Sequence, residues 1–172
     1  MELLLVRHAL PVRVDNRDTG DEADPVLSDL GWRQSRAVAD WLVGALPGGP
    51  SAEPIDAVYA STRARARQTA EPLAERLGQE LRIEPGLDEY DYGEPEYVPI
   101  EELKEAGDPR WHELVSEDAI PAPEAFMAQV VTGVDRIIAA HPGQRVVAFC
   151  HGGTIAPTWP TCSDSIGSSS SC

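Results

Sequence analysis

Residues 2–8 read ELLLVRH, a short apolar run that ends in an arginine and a histidine. A second run, RVVAFCHGG at 145–153, is apolar up to its cysteine and ends in a histidine followed by two glycines. We interpret both runs as β-strands, at 2–6 and 145–150, because they are short, continuous and bounded by polar or glycine-rich sequence. Two strands far apart in the chain thus each lead directly into a histidine.

The sequence between these strands predicts an alternation of strands and helices. Two further strands are expected at 55–60 and 81–83, and helices are expected to begin near Ser28, at Ser61 or Thr62, and at Pro123. Serine and threonine are favourable N-caps, and proline suits the first turn of a helix. Such alternation predicts an α/β fold, a three-layer α/β/α sandwich with a mostly parallel central sheet.

Apolar residues at helical spacing predict the buried face of each helix. The three predicted faces consist of Trp32, Val38, Trp41, Leu42 and Ala45, then Ala66, Thr69, Ala70, Leu73 and Leu77, and finally Phe126, Val130, Val134, Ile137 and Ile138. The stretches 10–26 and 84–122 lack this spacing, and we predict loops there, with two short helices near Glu101 and Trp111.

The ends of the predicted strands concentrate cationic and imidazole side chains. Arg7 and His8 follow the first strand, an Arg-x-Arg-x-Arg run at 63–67 follows the second, and His151 follows the last. Ligands of parallel sheets bind in the crevice at the carboxyl ends of the strands. We therefore expect these groups to meet at one edge of the sheet.

Such a cluster suits a phosphomonoester. Two guanidinium groups and one histidine N–H can hold a phosphoryl group and neutralise its charge during transfer. The other histidine is then free for covalent attack, while a carboxylic acid must protonate the departing alkoxide. Candidate acids crowd into residues 88–94, DEYDYGE.

Several blocks of the sequence resemble the histidine phosphatase superfamily, the phosphoglycerate-mutase-like enzymes with an Arg-His-Gly motif. The resemblance runs from Leu3 to about Ile155. Its blocks are LLVRHA at 4–9, LSDLGWRQ at 27–34, YASTRARARQTA at 59–70, LDEYDYG at 87–93 and CHGG at 150–153.

The resemblance implies roles for five residues. His8 is the expected nucleophile, Arg7, Arg65 and His151 are the expected phosphate ligands, and Glu89 is the expected proton donor. It implies a metal-independent phosphatase that hydrolyses a small phosphomonoester through a phosphohistidine on His8. A phosphoglycerate-mutase-type phosphotransferase would use the same residues, and a catalytically impaired phosphate-binding domain is a third alternative.

The alignment also predicts features at the margins of the site. Arg63 and Arg67 are expected to be flanking surface charges, and Ala9 stands where the commonest form of the family has glycine. The four histidines lack metal-ligand spacing, so no metal and no cofactor are expected. We interpret Cys150 as a small buried residue.

Composition limits the function classes. The chain has 172 residues, 42% of them hydrophobic, and a formal net charge of −15 from 14 Lys and Arg against 29 Asp and Glu. A surface this acidic repels nucleic acids and anionic membranes, and the amino terminus is unlike a signal peptide. We expect a cytoplasmic enzyme with a small phosphorylated substrate, and a homodimer is one possible assembly.

One domain is predicted over 1–155. Residues 156–172 have no helical or strand periodicity and consist largely of Ser, Thr, Pro and Gly. We predict that this tail is disordered, or that a frameshift put it in place of a helix that would pack behind His151. The altered carboxyl end is the reason for retaining the impaired-domain alternative.

Overall fold

The computed structural model describes residues 1–46, 48–49, 53–91, 93–114 and 122–155. Four strands form its central sheet: β1 (Glu2–Arg7), β3 (Ala57–Ala60), β4 (Leu81–Ile83) and β6 (Arg145–Cys150). They lie in the order β1-β6-β3-β4, and every neighbouring pair is parallel. The four predicted strands are confirmed, with small differences at their ends.

Helices cover both faces of this sheet. The long helices are α1 (Asp29–Leu42), α2 (Ala64–Leu77) and α5 (Pro123–Ala140), and the short ones are α3 (Ile100–Glu105), α4 (Arg110–Leu114) and α6 (Gly152–Ile155). Helices α1 and α2 share a hydrophobic cluster on one face, whereas α5 packs on the other. The two short helices predicted near Glu101 and Trp111 are α3 and α4.

Strand β6 shows how the two cores are separated. Val147 and Phe149 belong to the cluster beneath α1 and α2, whereas Val146, Ala148 and Cys150 belong to the cluster beneath α5. Alternate side chains of a strand point to opposite faces, so a strand buried on both faces must be apolar throughout. The prediction of a three-layer α/β/α sandwich is therefore confirmed.

Helix α1 matches its predicted buried face only in part, since Leu42 is buried as predicted and Val38 is partly buried. Its buried residues are Gly31, Ser35, Ala39 and Leu42, whereas Trp41 is exposed. A Cβ added at Gly31 would lie 2.1 Å from the carbonyl oxygen of Leu10, so only glycine fits beside that turn. The close packing of α1 selects small residues, which the spacing of large apolar side chains does not reveal. In α5, Ile138 is likewise exposed rather than buried.

The N-caps of α1 and α2 agree with the sequence predictions only in part. Ser28 caps α1 as predicted, since its side chain accepts a hydrogen bond from the N–H of Gly31. The cap predicted for α2 at Ser61 or Thr62 is wrong, because the N-cap is Arg63, whose side chain makes no cap bond. Asp24 supplies the acceptor instead, at 2.9 Å from the N–H of Ala64.

The stretches predicted to be loops contain a small ribbon. Strand β2 (Val14–Asp15) pairs antiparallel with β5 (Glu96–Tyr97), and this pairing ties residues 10–26 to the acidic segment. Within the described ranges, none of the helices has both the length and the hydrophobicity needed to span a bilayer. The predicted tail at 156–172 lies outside the described residues.

Candidate active site

The ends of β1 and β6 bring two histidines side by side. Arg7 is in register with Cys150, and the N–H of His8 donates to the carbonyl oxygen of Cys150 at 2.9 Å. The rings of His8 and His151 consequently lie 5.1 Å apart, centroid to centroid, with their planes inclined by 57°. Parallel pairing of β1 with β6 thus places two imidazoles side by side at the carboxyl ends of these strands.

The backbone fixes the tautomer of His8. Its Nδ1 lies 2.9 Å from the carbonyl oxygen of Ala9, which can only accept a hydrogen bond. Nδ1 therefore carries the proton, and Nε2 presents its lone pair. The Ala9 N–H donates in turn to Thr69 Oγ1 at 3.0 Å, which anchors this turn to α2. This tautomer leaves Nε2 as the unprotonated nitrogen of the ring.

The surroundings of His8 keep its ring neutral. Burial, together with the positive charges of Arg65 and Arg7, lowers the pKa of His8 to about 3, against the opposing effect of its hydrogen bond to Ala9. At neutral pH the ring is therefore unprotonated, which is the state in which Nε2 can attack.

Because His8 is buried in its neutral form, we predict that the stability of the fold depends on pH. Because the pKa of His8 is lower in the folded state, the unfolded chain binds the extra proton, and stability falls as pH decreases below 6.5. Between pH 6.5 and 5.5, His8 alone should lower the free energy of unfolding by about 1 kcal/mol. Urea denaturation of the wild type and of His8→Asn at both pH values measures the difference. Equal losses in the two proteins would contradict a neutral buried His8.

His151 is fully buried and forms a hydrogen bond with a serine. Its Nε2 lies 2.7 Å from Ser61 Oγ, which itself accepts from the N–H of Arg63 at 3.3 Å. The Ser61 hydroxyl can donate its hydrogen to Nε2, and in the tautomer that accepts it the ring proton resides on Nδ1. Among the described residues, Nδ1 has no hydrogen-bond partner. Burial and the nearby cations, Arg65 first among them, hold the pKa of His151 well below its usual value.

Arg65 lies at the start of α2 and is 1% exposed. Its Nη2 donates to Asp91 Oδ2 at 2.7 Å, and its guanidinium carbon stands 4.7 Å from the centre of the Tyr97 ring. Within the described part of the chain, its Nε and Nη1 have no hydrogen-bond partner. Unpartnered buried N–H groups are costly, and the oxygens of a bound oxyanion would satisfy them.

Arg7 occupies the solvent side of the site. Its side chain is half-exposed, and Nη1 donates to Glu101 Oε1 of α3 at 2.9 Å. It is close enough to His8 to contribute to the lowered pKa of that ring. The sequence predicted that Arg7 lies near His8 but not that it pairs with Glu101. A bound phosphate would compete with Glu101 for the Arg7 guanidinium.

Glu89 is held against the segment that follows His151. Its Oε2 accepts from the N–H of Gly153 at 2.9 Å, and its Oε1 accepts from the N–H of Tyr90 at 3.2 Å. A Cβ added at Gly153 would lie 2.3 Å from Oε1, so this contact requires glycine. Burial, and to a smaller extent Asp91, raise the pKa of Glu89, although both amides and Arg65 act in the opposite direction. A raised pKa is what a general acid needs.

Two other side chains near the site clarify the chemistry. The prediction that Arg63 is a surface charge is wrong, because it is 4% exposed and pairs with Glu22 and Asp91. Cys150 is buried as predicted, and burial raises the pKa of its thiol to about 12. A thiol in that state does not compete with His8 as a nucleophile.

The structure thus brings all five predicted residues into one region and adds supporting residues that the sequence did not assign. Ser61, Thr69 and Asp91 lie inside the quoted blocks, but only the fold shows which groups they contact. Tyr97 lies outside those blocks, and the β2–β5 ribbon places it over Arg65. Burial raises the pKa of Tyr97 to about 12, so its hydroxyl remains protonated.

Sequence comparison agrees with this geometry. The sequence model of the histidine phosphatase superfamily (branch 1) matches residues 3–159. The chain belongs to the histidine phosphatase superfamily. It is 33% identical over 155 residues to a bifunctional protein of Mycobacterium tuberculosis, covering 87% of this chain and 40% of that protein. It is 26% identical over 162 residues to the Hydrogenobacter thermophilus protein named 'Putative phosphoserine phosphatase 2', covering 89% of this chain and 74% of that protein.

Solved structures of two phosphatases share the fold. A mycobacterial glucosyl-3-phosphoglycerate phosphatase in complex with VO3 superimposes with a TM-score of 0.62 at 22% identity, covering 89% of this chain and 76% of that one. A phosphoserine phosphatase from Entamoeba histolytica in complex with 3-phosphoglyceric acid gives 0.60 at 22% identity, covering 89% and 75%. The histidine phosphatase chain described here spans about 40% of the length of its mycobacterial sequence relatives.

Proposed function

We propose that this histidine phosphatase hydrolyses a small phosphomonoester through a phosphohistidine on His8, without a metal ion. The observation that carries the proposal is the set of buried donors beside a neutral nucleophile. Arg65 Nε and Nη1 and His151 Nδ1 have no partner among the described residues, and the His8 ring lies next to that of His151. Three donors around one lone pair suit a tetrahedral oxyanion.

The first chemical step is transfer of the phosphoryl group to His8. Nε2 forms a bond to phosphorus as the bond between phosphorus and the ester oxygen breaks. Glu89 gives its proton to that oxygen, so the alcohol leaves neutral. Arg7 and Arg65 neutralise the charge on the three equatorial oxygens, and the neutral His151 donates a hydrogen bond to them; such positioning and charge stabilisation is the main contribution a protein makes to this kind of transfer.

The second step regenerates the enzyme. A water molecule gives a proton to the Glu89 carboxylate as its oxygen bonds to phosphorus, and the bond between phosphorus and Nε2 breaks. The products are inorganic phosphate, neutral His8 and protonated Glu89. One carboxyl group thus acts as acid and then as base, as microscopic reversibility requires.

The guanidinium groups supply the positive charge that a metal ion provides in other phosphatases. We therefore expect the chain to release inorganic phosphate from an aryl phosphate such as p-nitrophenyl phosphate in the presence of excess EDTA. Turnover that disappears with EDTA and returns with a divalent cation would contradict the metal-independent mechanism. No turnover under either condition would favour the phosphate-binding alternative.

The small number of cations in residues 88–122 favours hydrolysis over mutase activity. A phosphoglycerate mutase must also hold the carboxylate of its substrate, and residues 88–122 contain only Lys104 and Arg110 as candidates. Lys104 Nζ lies 5.1 Å from the centre of the Trp111 ring, and Arg110 pairs with Asp108 at 2.7 Å. Incubation with 3-phosphoglycerate should therefore yield inorganic phosphate, if it reacts, rather than 2-phosphoglycerate.

The role of Glu89 predicts a dependence on the leaving group. In Glu89→Gln, kcat/KM for an alkyl phosphate, which reports phosphoryl transfer to His8 and not the shared hydrolysis step, should fall by about 10²–10⁴-fold, the usual value of general acid catalysis. An aryl phosphate should lose far less, because a phenolate leaves without a proton. Comparing the two substrates in wild type and variant measures this, with the exposed Glu113→Gln as a control. Equal losses for both substrates would place the acid elsewhere.

The raised pKa of Glu89 also fixes the direction of the pH profile. Since the acid must be protonated, turnover of alkyl phosphates should decline as pH rises through that pKa. The alkaline limb should be absent from the Glu89→Gln profile, whose residual activity no longer depends on that proton.

A further inference from the structure

We infer that Arg63 is a positioning residue, which acts through Asp91 to hold the Arg65 guanidinium in its phosphate-binding orientation. This inference rests on the proposed function. Arg63 and Arg65 both lie at the start of α2, yet neither points into solvent, since they are 4% and 1% exposed. Two guanidinium groups buried this closely repel each other and need an intervening carboxylate.

Asp91 is that carboxylate. Its Oδ2 accepts from Arg65 Nη2 at 2.7 Å, whereas its Oδ1 lies 3.8 Å from Arg63 Nη2. A carboxylate bound on one oxygen can still rotate about its Cβ–Cγ bond. A second cation facing the other oxygen opposes that rotation, and so fixes the direction from which Asp91 holds Arg65.

The other terminal nitrogen of Arg63, Nη1, binds the loop that precedes α1. Arg63 Nη1 donates to Glu22 Oε1, and that same oxygen accepts from the N–H of Gly93 at 3.2 Å. Glu22 is 34% exposed, so this anchor lies at the surface while Asp91 lies deeper. An ordered chain of charges, Glu22, Arg63, Asp91 and Arg65, therefore leads from the loop to the phosphate-binding guanidinium.

In this arrangement one N–H donor group of Arg65 binds Asp91, and the others face no acceptor among the described residues. Nη2 is committed to Asp91, the Tyr97 ring covers the guanidinium at 4.7 Å, and Nε and Nη1 have no partner within the described ranges. The donors without a partner are those available to a phosphoryl group. If Asp91 turned, Nη2 would lose its partner and the available edge of Arg65 would change direction, which misplaces the oxyanion.

The test combines phosphate binding with a double-mutant cycle. Inorganic phosphate is titrated calorimetrically into wild type, Arg63→Met, Asp91→Asn and the double variant, and kcat/KM for p-nitrophenyl phosphate is measured for each. Arg67→Met is the matched control, because Arg67 is exposed on the same helix. We expect Arg63→Met to weaken phosphate binding about tenfold, and the control to bind like wild type. The double variant should lose no more than Asp91→Asn alone, because Arg63 acts through Asp91.

Two results would overturn the inference. One is an Arg63→Met protein that binds phosphate within about twofold of wild type, and the other is a double variant whose loss is the product of the two single losses. If Arg63→Met does not fold, Glu22→Gln decides the question: it retains the buried guanidinium, and should weaken phosphate binding by about threefold. Unchanged affinity in that variant would count against the inference. A wild type that fails to bind phosphate would instead refute the proposed function.

Discussion

Replacing His8 with alanine is expected to lower kcat for p-nitrophenyl phosphate by about 10⁴-fold or more, because the covalent route is lost entirely. Phosphate binding should survive, since Arg65 and His151 keep their donors and the smaller side chain leaves more room for the anion. The variant thus separates binding from chemistry. Initial rates and a phosphate titration on the same preparation measure both quantities.

His112→Ala is the matched control for this variant. His112 is an exposed histidine on α4, and its substitution should leave turnover unchanged. Comparable activity of His8→Ala and wild type would refute both the nucleophile assignment and the proposed enzyme class. Wild-type protein that binds phosphate but does not turn over the ester would instead support a catalytically impaired phosphate-binding domain.

Replacing Arg65 with methionine should be nearly as damaging. Removing one preorganised donor from an oxyanion site costs about 10²–10³-fold in kcat, and Arg65 offers two donors without a partner among the described residues. The loss should appear in kcat/KM for aryl and alkyl esters alike, because the guanidinium contacts the phosphoryl group and not the leaving group. This uniform loss distinguishes Arg65 from Glu89.

Two further variants sharpen the test of Arg65. Arg65→Lys retains the charge but not the fork of donors, so it should recover only a small part of the activity. Arg67→Met, on the exposed side of the same helix, should be fully active. A loss below about tenfold in Arg65→Met would show that Arg65 does not bind the phosphoryl group.

Sequence reasoning works best where one physical rule governs a segment. Strand β6 is predictable because a strand buried on both faces must be apolar along its whole length. Strand β1 is half-buried, and its short continuous apolar run predicts it equally well. The meeting of His8 and His151 is also predictable, since parallel strands end at the same edge of the sheet. Neither conclusion depends on the details of side-chain packing.

The failures come from interactions that no local pattern encodes. Trp41 has the right spacing for burial, but the buried face of α1 consists of Leu42 and three small residues, Gly31, Ser35 and Ala39. Arg63 resembles a solvated charge in a basic run, yet Glu22 and Asp91 arrive from other parts of the chain to neutralise it. Tyr97 reaches Arg65 through the pairing of two-residue strands too short to predict.

The central claim is that His8 becomes covalently phosphorylated, and trapping that intermediate tests it most directly. Protein mixed with a phosphomonoester is quenched in alkali within the first turnover and digested, and the phosphopeptide is sequenced by mass spectrometry. The account predicts one phosphoryl group on the ring of His8, stable in alkali and lost in acid, and none in His8→Ala. An adduct on any other residue, or a wild type that turns over the ester with no trapped phosphohistidine under any quench, would contradict it.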